Sequence, residues 1–261
     1  MPPEIASLLP PGVDLFAAIL LIVASAFTSA LTASFGVGGG VAMLALMGMY
    51  VPVTALIPLH GVVQLGSNVG RAIRQRENIR LAVAKPFIAG SVVGAFAGAF
   101  LVVQLPDALL KLVLGSFIIA ITWAKLPGIG RLSRSGLAVL SMILAVVTMF
   151  VGATGPLVSP VLAKFLENDR KGLVATHAAA MVAQHGLKIV VFGLAGFAFR
   201  EWLPLLAAMI FSGFLGTHYG TKLLDHMPEK TFQLWFRIAL TLLALDMLRR
   251  GFYALSAHPT V

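Results

Sequence analysis

The 261-residue chain contains no cysteine, which excludes disulfides, a thiolate metal site and a cysteine nucleophile. It is also poor in charge. Only 11% of its residues are Asp, Glu, Lys or Arg, where a soluble domain carries about 25%. Acidic residues are the scarcer kind, 10 against 19 Lys and Arg. A water-facing surface cannot be covered from that supply, so a soluble enzyme, a nucleic-acid-binding domain and a disordered chain are excluded together. What the chain has instead is apolar: 59% hydrophobic residues and a mean hydropathy of +0.95. A bilayer must then be the solvent for most of it. The net charge of +9 does not point to nucleic acid, because the basic residues sit in short loops between apolar runs, the pattern that orients a membrane protein.

A crossing helix needs about 20 mainly apolar residues. Eight stretches qualify: 15–35, 53–70, 86–104, 108–124, 137–153, 173–193, 202–221 and 231–248. The segment before the first has no basic region and carries Glu4 and Asp14, so 15–33 reads as a retained helix rather than a cleaved signal peptide. Two further apolar stretches, Val41–Tyr50 and Leu157–Leu166, are too short to cross, and each follows a glycine-rich break. Arg71, Arg74, Arg76, Arg80 and Lys85 follow the second stretch, Lys125, Arg131 and Arg134 the fourth, and Arg249 and Arg250 the last. Eight spans put all three clusters on one side, which places both termini in the cytoplasm. Trp123, Trp202 and Trp235 fall near span ends, where interface anchors sit. Arg71, opening a basic loop, is expected to snorkel to the interface.

Shifting the chain by 117 residues brings its halves into rough register. Gly36-Val-Gly-Gly-Gly40 falls near Gly152-Ala-Thr-Gly-Pro156, His60 over His177, Asn68 over His185 and Arg71 over Lys188. The expected architecture is an all-α polytopic membrane protein of two four-span pseudo-repeats, residues 1–124 and 125–261, related by an axis along the membrane normal. Each repeat holds one glycine-broken half-helix or re-entrant segment. A run such as Gly38-Gly-Gly40 is a poor helix interior, at about 0.8–1 kcal/mol per glycine relative to alanine. Irregular backbone at membrane depth survives only when buried in protein or lining a wet cavity. Both breaks should therefore face inward and present half-helix N-termini, with unpaired N–H groups and the positive end of the dipole, to an anion. Close helix packing is the other use of such glycines.

Polar residues within the spans are costly and so become functional candidates. His60, Gln64, Ser67 and Arg71 form one helical stripe, with Asn68 beside it; His177, Gln184 and Lys188 form another, with Thr176 and His185 adjacent. Asp246 sits beside Arg249 and Arg250 and should pair with them. Buried acids, which a cation pathway needs, are nearly missing. Glycine N–H groups, hydroxyls, amides, histidines and a lysine suit an anionic substrate. If transport is proton-coupled, histidine has the suitable unperturbed pKa, about 6.5. No Gly-x-Ser-x-Gly, no H-E-x-x-H and no phosphate loop is present, so the chain is expected to have no catalytic residues, no metal and no cofactor. A membrane-embedded enzyme or a non-transporting sensor subunit is a further reading, against which the absence of paired catalytic groups argues.

Ser34-Phe-Gly-Val-Gly-Gly-Gly-Val41, a short apolar stretch, Pro52 and a polar second helix ending in Arg71–Arg80 together resemble the sulfite exporter TauE/SafE family of membrane transporters. The resemblance implies two related halves, each opening with a Gly-x-Gly-Gly-Gly-type motif, and movement of sulfite, organosulfonates or similar anions, with export favoured. The second motif here has fewer glycines, and the family's Gly-Thr-Ser-like cluster is replaced by Leu59-His60-Gly61 and Ala175-Thr176-His177. The expectation is an inner-membrane secondary transporter working by alternating access, with a passive anion channel as the alternative. The expected substrate-binding residues are Gly36, Gly38, Gly39, Gly40, His60, Gln64, Ser67, Asn68, Gly152, Thr154, Gly155, Thr176, His177, Gln184, His185 and Lys188. The expected partners are a small anion and membrane lipid but no nucleic acid; a coupling ion and a homo-oligomer stay open.

Overall fold

A computed structural model describes residues 9–35, 38–101, 106–123, 132–220 and 229–257. Among the described residues the secondary structure is helical throughout, with no strand. The helices are α1 (Leu15–Phe35), α2 (Gly39–Tyr50), α3 (Val53–Arg74), α4 (Leu81–Leu101), α5 (Asp107–Trp123), α6 (Arg134–Val151), α7 (Gly155–Ala163), α8 (Arg170–Leu194), α9 (Leu203–Leu215) and α10 (Glu229–Ala257). Short 3₁₀ turns lie at Arg76–Asn78 and Phe199–Trp202, and α9 continues into a π turn over Gly216–Gly220. Among the described residues, a helix lies in each of the eight long stretches read from the sequence. Among the described residues, four helices are long and apolar enough to cross a membrane: Leu15–Ser34, Leu81–Ala99, Arg134–Val151 and Arg170–Leu194. The two left-over stretches are short helices of 12 and 9 residues, about 18 and 14 Å at 1.5 Å per residue, roughly half a hydrocarbon core of about 30 Å.

The molecule is turned inside out relative to a soluble protein. Phe16, Ile19, Val23 and Phe27 form a helical stripe on α1 that is more than half exposed, as are Phe211 and Phe214 on α9 and Leu242 and Phe252 on α10. An apolar exterior of this extent needs lipid. Polar side chains are inside: Ser25, Thr28, Ser29 and Thr32 of α1, and the whole polar stripe of α3 and of α8, are buried.

The main helix partnerships are α4 with α6, α5 with α10, α3 with α8 and α1 with α9. All four join the first half of the chain to the second. One large apolar core, containing Leu21, Leu44, Leu56, Leu114, Ala153, Leu206 and Met247 among others, runs across the midpoint of the chain. Helices α4 and α6 approach closely. A side chain at Gly90 would meet the Ala138 carbonyl at 1.9 Å, and one at Gly94 the Met142 carbonyl at 2.1 Å. The Gly90-xxx-Gly94-xxx-Gly98 spacing is a small-residue face of the kind that lets two helix backbones meet.

Trp202 departs from the expectation for an interface anchor, being 5% exposed within the large core. Trp123 and Trp235 are at least half exposed, and Trp123 donates its indole N–H to Thr241 Oγ1 at 2.9 Å. Asp246 pairs with Arg249 at 2.6 Å and Arg250 at 2.7 Å. Gly94→Leu should destabilise the protein by about 1–3 kcal/mol or more, since the clash is with backbone. Val93→Leu, on the exposed face next door, should stay within about 0.5 kcal/mol. Thermal unfolding in detergent checks the pair, and equal midpoints would show that α4 and α6 are not closely packed.

Candidate functional site

The first break separates α1, which ends at Phe35, from α2, which starts at Gly39. Gly36 lies outside the described residues. Gly38 has φ +104°, a left-handed backbone for which glycine is the ordinary choice, and the Phe236 ring packs over it. The second break separates α6 from α7, with Gly152 at φ +77°. Neither short helix is capped by its N-cap side chain. Gly38 has none to offer, and the Thr154 hydroxyl is committed to Gln184 Oε1 at 3.1 Å. The two N-termini are not equivalent donors, because α7 has Pro156 in its first turn and proline carries no N–H.

Both breaks face one small cavity of about 30 Å³, room for about two waters. Gly38, Gly40 and Val41 line it from one side, and Ala153, Gly155 and Pro156 from the other. The rest of its wall comes from the packed pair α3 and α8, with Thr32 of α1: His60, Gln64, Asn68 and Arg71 face it from α3, and His177, Met181 and His185 from α8. Among the described residues no Asp or Glu is in the wall.

The histidines hold the short helices in place. His60 Nε2 lies 2.8 Å from the Gly40 carbonyl and His177 Nε2 3.1 Å from the Gly155 carbonyl. A carbonyl only accepts, so Nε2 carries the hydrogen in both rings. The residues 117 positions apart thus make the same contact to the first turn of the short helix in their own half. Rings of His60 and His185 meet edge-on at 5.9 Å, and His185 Nδ1 is buried with no hydrogen-bond partner.

The two cations at matching positions also serve the breaks. Arg71 Nη1 donates to the Thr32 carbonyl at 3.2 Å, in the last turn of α1, and Nη2 to Asn68 Oδ1 at 2.5 Å. Asn68 is itself fixed by a 2.7 Å bond to the Gln64 carbonyl. Lys188 Nζ donates to the Gly152 carbonyl at 2.7 Å, just past the end of α6. Each cation therefore sits at a helix C-terminus, where carbonyls are left over and the dipole is negative. Arg71 is 4% exposed, which overturns the expectation that it snorkels to the interface. Its Nε has no partner, and none of the ion pairs among the described residues involves it.

The expected binding residues divide accordingly. Gly38, Gly40, His60, Gln64, Asn68, Gly155, His177 and His185 line the cavity. Gly39 packs against the Thr28 carbonyl and leaves no room for a side chain. Gly152 and Lys188 bond each other, and Thr154 bonds Gln184, behind the wall. Ser67 faces a second cavity. The Thr176 hydroxyl accepts the Arg80 backbone N–H at 2.9 Å and is not among the cavity residues. Arg71, Thr32 and Met181 line the cavity without having been among the expected binding residues. Arg71 was legible as the end of the His60–Gln64–Ser67 stripe; the basic loop after it masked the signal.

A latch lies beside Thr176. Arg80 Nε contacts Asp169 Oδ2 at 2.6 Å, while Asp169 Oδ1 caps α8 by accepting from the Gly172 N–H at 2.9 Å. The Arg80 hydrogen bond, with help from the Gly172 N–H, holds the Asp169 carboxyl below its ordinary 3.8. Its folded-state value being depressed, its contribution is present above the ordinary carboxylate range and is lost as pH falls through the depressed value.

These features define a multi-pass helical membrane protein with a polar, carboxylate-free interior site built on two broken helices. Residues 21–247 match the family model described as sulfite exporter TauE/SafE. The chain belongs to that family of membrane transporters. No curated protein and no solved structure matches it. Asp169→Ala should lower the thermal midpoint more than Asp169→Asn, which keeps an oxygen for the Gly172 N–H. The gap between wild type and Asp169→Asn should close only below pH 3.8. Equal midpoints for all three proteins at pH 7 would show that the latch does not contribute.

Proposed function

We propose that the protein is a secondary transporter of a small sulfur-containing anion, sulfite or an organosulfonate, and that it exports this anion across the bacterial inner membrane. The observation that carries this reading is Arg71. Its guanidinium keeps its proton, is buried in the cavity wall and has no carboxylate beside it among the described residues. A buried cation without counter-charge costs several kcal/mol. A bound anion offsets that cost and a bound cation raises it. The uncapped N-terminus of α2, with its dipole, acts in the same direction. Sulfite, which offers only oxygens and a lone pair, fits a site of donors. The export direction rests on the family.

The same reading includes eight spans, repeats at 1–124 and 125–261, and both termini in the cytoplasm. Support for the repeat comes from exchanged partnerships: α4 packs on α6 as α9 packs on α1, while α3 meets α8 and α5 meets α10. The paired His60–Gly40 and His177–Gly155 contacts and the paired helix-end cations agree with it. Rocking one repeat against the other would expose the cavity to each side in turn. Protons are the coupling ion in this reading. With Nε2 donating to carbonyls, His60 and His177 can donate toward an anion only after Nδ1 gains a proton. The titratable groups around them are His185 and Arg71, with Lys188 behind Gly61.

In proteoliposomes loaded with radiolabelled sulfite, the wild type should give saturable flux, accelerated by a pH gradient that drives protons the same way. Arg71→Gln should raise KM at least tenfold, as expected from losing a charged hydrogen bond of about 1.5–3 kcal/mol. Non-saturating flux would favour a passive channel. A wild type that carries neither sulfite nor any sulfonate removes the reading.

A further inference from the structure

A second cavity, of about 470 Å³, lies where the C-terminal end of α3 meets the π turn after α9. Its polar wall includes Ser67, Arg71, Arg74 and His218, with Phe214 and Gly70 between them. Among the described residues no Asp or Glu contributes. Arg71 belongs to the walls of both cavities, so the two adjoin at that residue. The second cavity is the larger and lies beside the basic turn that carries Arg74, Arg76 and Arg80.

The π turn sets the chemistry of this wall. Regular α-helix stops at Leu215, and Gly216–Gly220 winds more widely, a local distortion that is frequent at functional sites. It is fixed by Gly216, where any side chain would meet the Ala26 carbonyl at 2.0 Å. The His218 ring, edge-on to Tyr219 at 4.6 Å, is thereby brought to Arg74, with Arg74 Nη2 3.0 Å from His218 Nδ1. Arginine is an obligatory donor, so His218 Nδ1 accepts and its hydrogen is on Nε2. Arg74 thus orients a histidine whose remaining ring nitrogen is a donor. Arg74, His218, the Ser67 hydroxyl and Arg71 present donors and positive charge to one space wide enough for an organic sulfonate.

We propose that this second cavity is an outer anion-binding site that loads the inner one, with Arg71 shared between them. An anion held by Arg74 and His218 is drawn to Arg71, whose buried charge then faces the inner cavity. Two adjacent sites of unequal strength let an anion bind well and still leave. The inference rests on the anion-transport reading and adds a site to it.

Both outer residues are exposed, so their replacement leaves the fold intact. In proteoliposomes, Arg74→Gln and His218→Phe should each raise the KM for sulfite about five- to tenfold, with the maximal rate changed less than twofold, a smaller effect than at buried Arg71 because both residues are solvent-exposed. Arg74→Lys, which keeps the charge, should recover most of the affinity. Equilibrium dialysis of the purified full-length protein against radiolabelled sulfite should give two sites for wild type and one for the Arg74→Gln, His218→Phe double variant. If wild type carries sulfite while both single variants keep its KM and the double variant keeps two sites, the outer site is overturned and the transport reading stands. If wild type neither binds nor carries sulfite or a sulfonate, both fall.

Discussion

A carbonyl left over where a helix stops inside a membrane has no water to turn to, and a buried unpaired polar group costs a few kcal/mol. This protein stops two helices in its interior, and the rest of its polar architecture answers that requirement. Arg71 reaches the last turn of α1 and Lys188 the residue after α6. His60 and His177 hold the first turns of the short helices that follow. The polar stripes of α3 and α8 are therefore scaffolding for the breaks before they are anything else.

Meeting the structural need with cations and histidines has a functional consequence. A neutral donor at position 71 could also have satisfied the Thr32 carbonyl, but arginine adds a charge that no carboxylate matches. The site is thereby biased toward anions, and the short helices add their dipoles in the same direction. The two halves are unequal. Lys188 is fully buried and committed to Gly152, with its stem packed over Gly61, whereas Arg71 keeps Nε free and faces two cavities. The Lys188 amine is spent on the backbone, and Arg71 keeps one nitrogen unspent. The proline in the first turn of α7 shifts the balance the same way.

Tight helix packing gives the site its rigidity. Gly90 and Gly94 let α4 meet α6 backbone to backbone, and Gly216 does the same for the π turn against α1. These contacts join the first half of the chain to the second, so any rocking between halves must slide or pivot on glycine faces.

The sequence by itself determined the solvent, the helical class, the positions of the long helices and the two breaks, because hydropathy over about 20 residues and glycine clusters are local properties. It also placed His60, His177, Arg71 and Lys188 in matching positions, since a shift of 117 residues lays one half over the other and a period of 3.6 picks out each stripe. Only the tertiary structure decided which members of each stripe face the cavity and which are spent on backbone carbonyls. Lys188 and Arg71 look alike in sequence, yet they differ in what lies across from them. Thr176 looked like a pathway residue and instead accepts the Arg80 N–H from another helix. Hydrogen-bond partners supplied by distant parts of the chain leave no mark on the local pattern, and that is why the site's composition was legible while its division of labour was not.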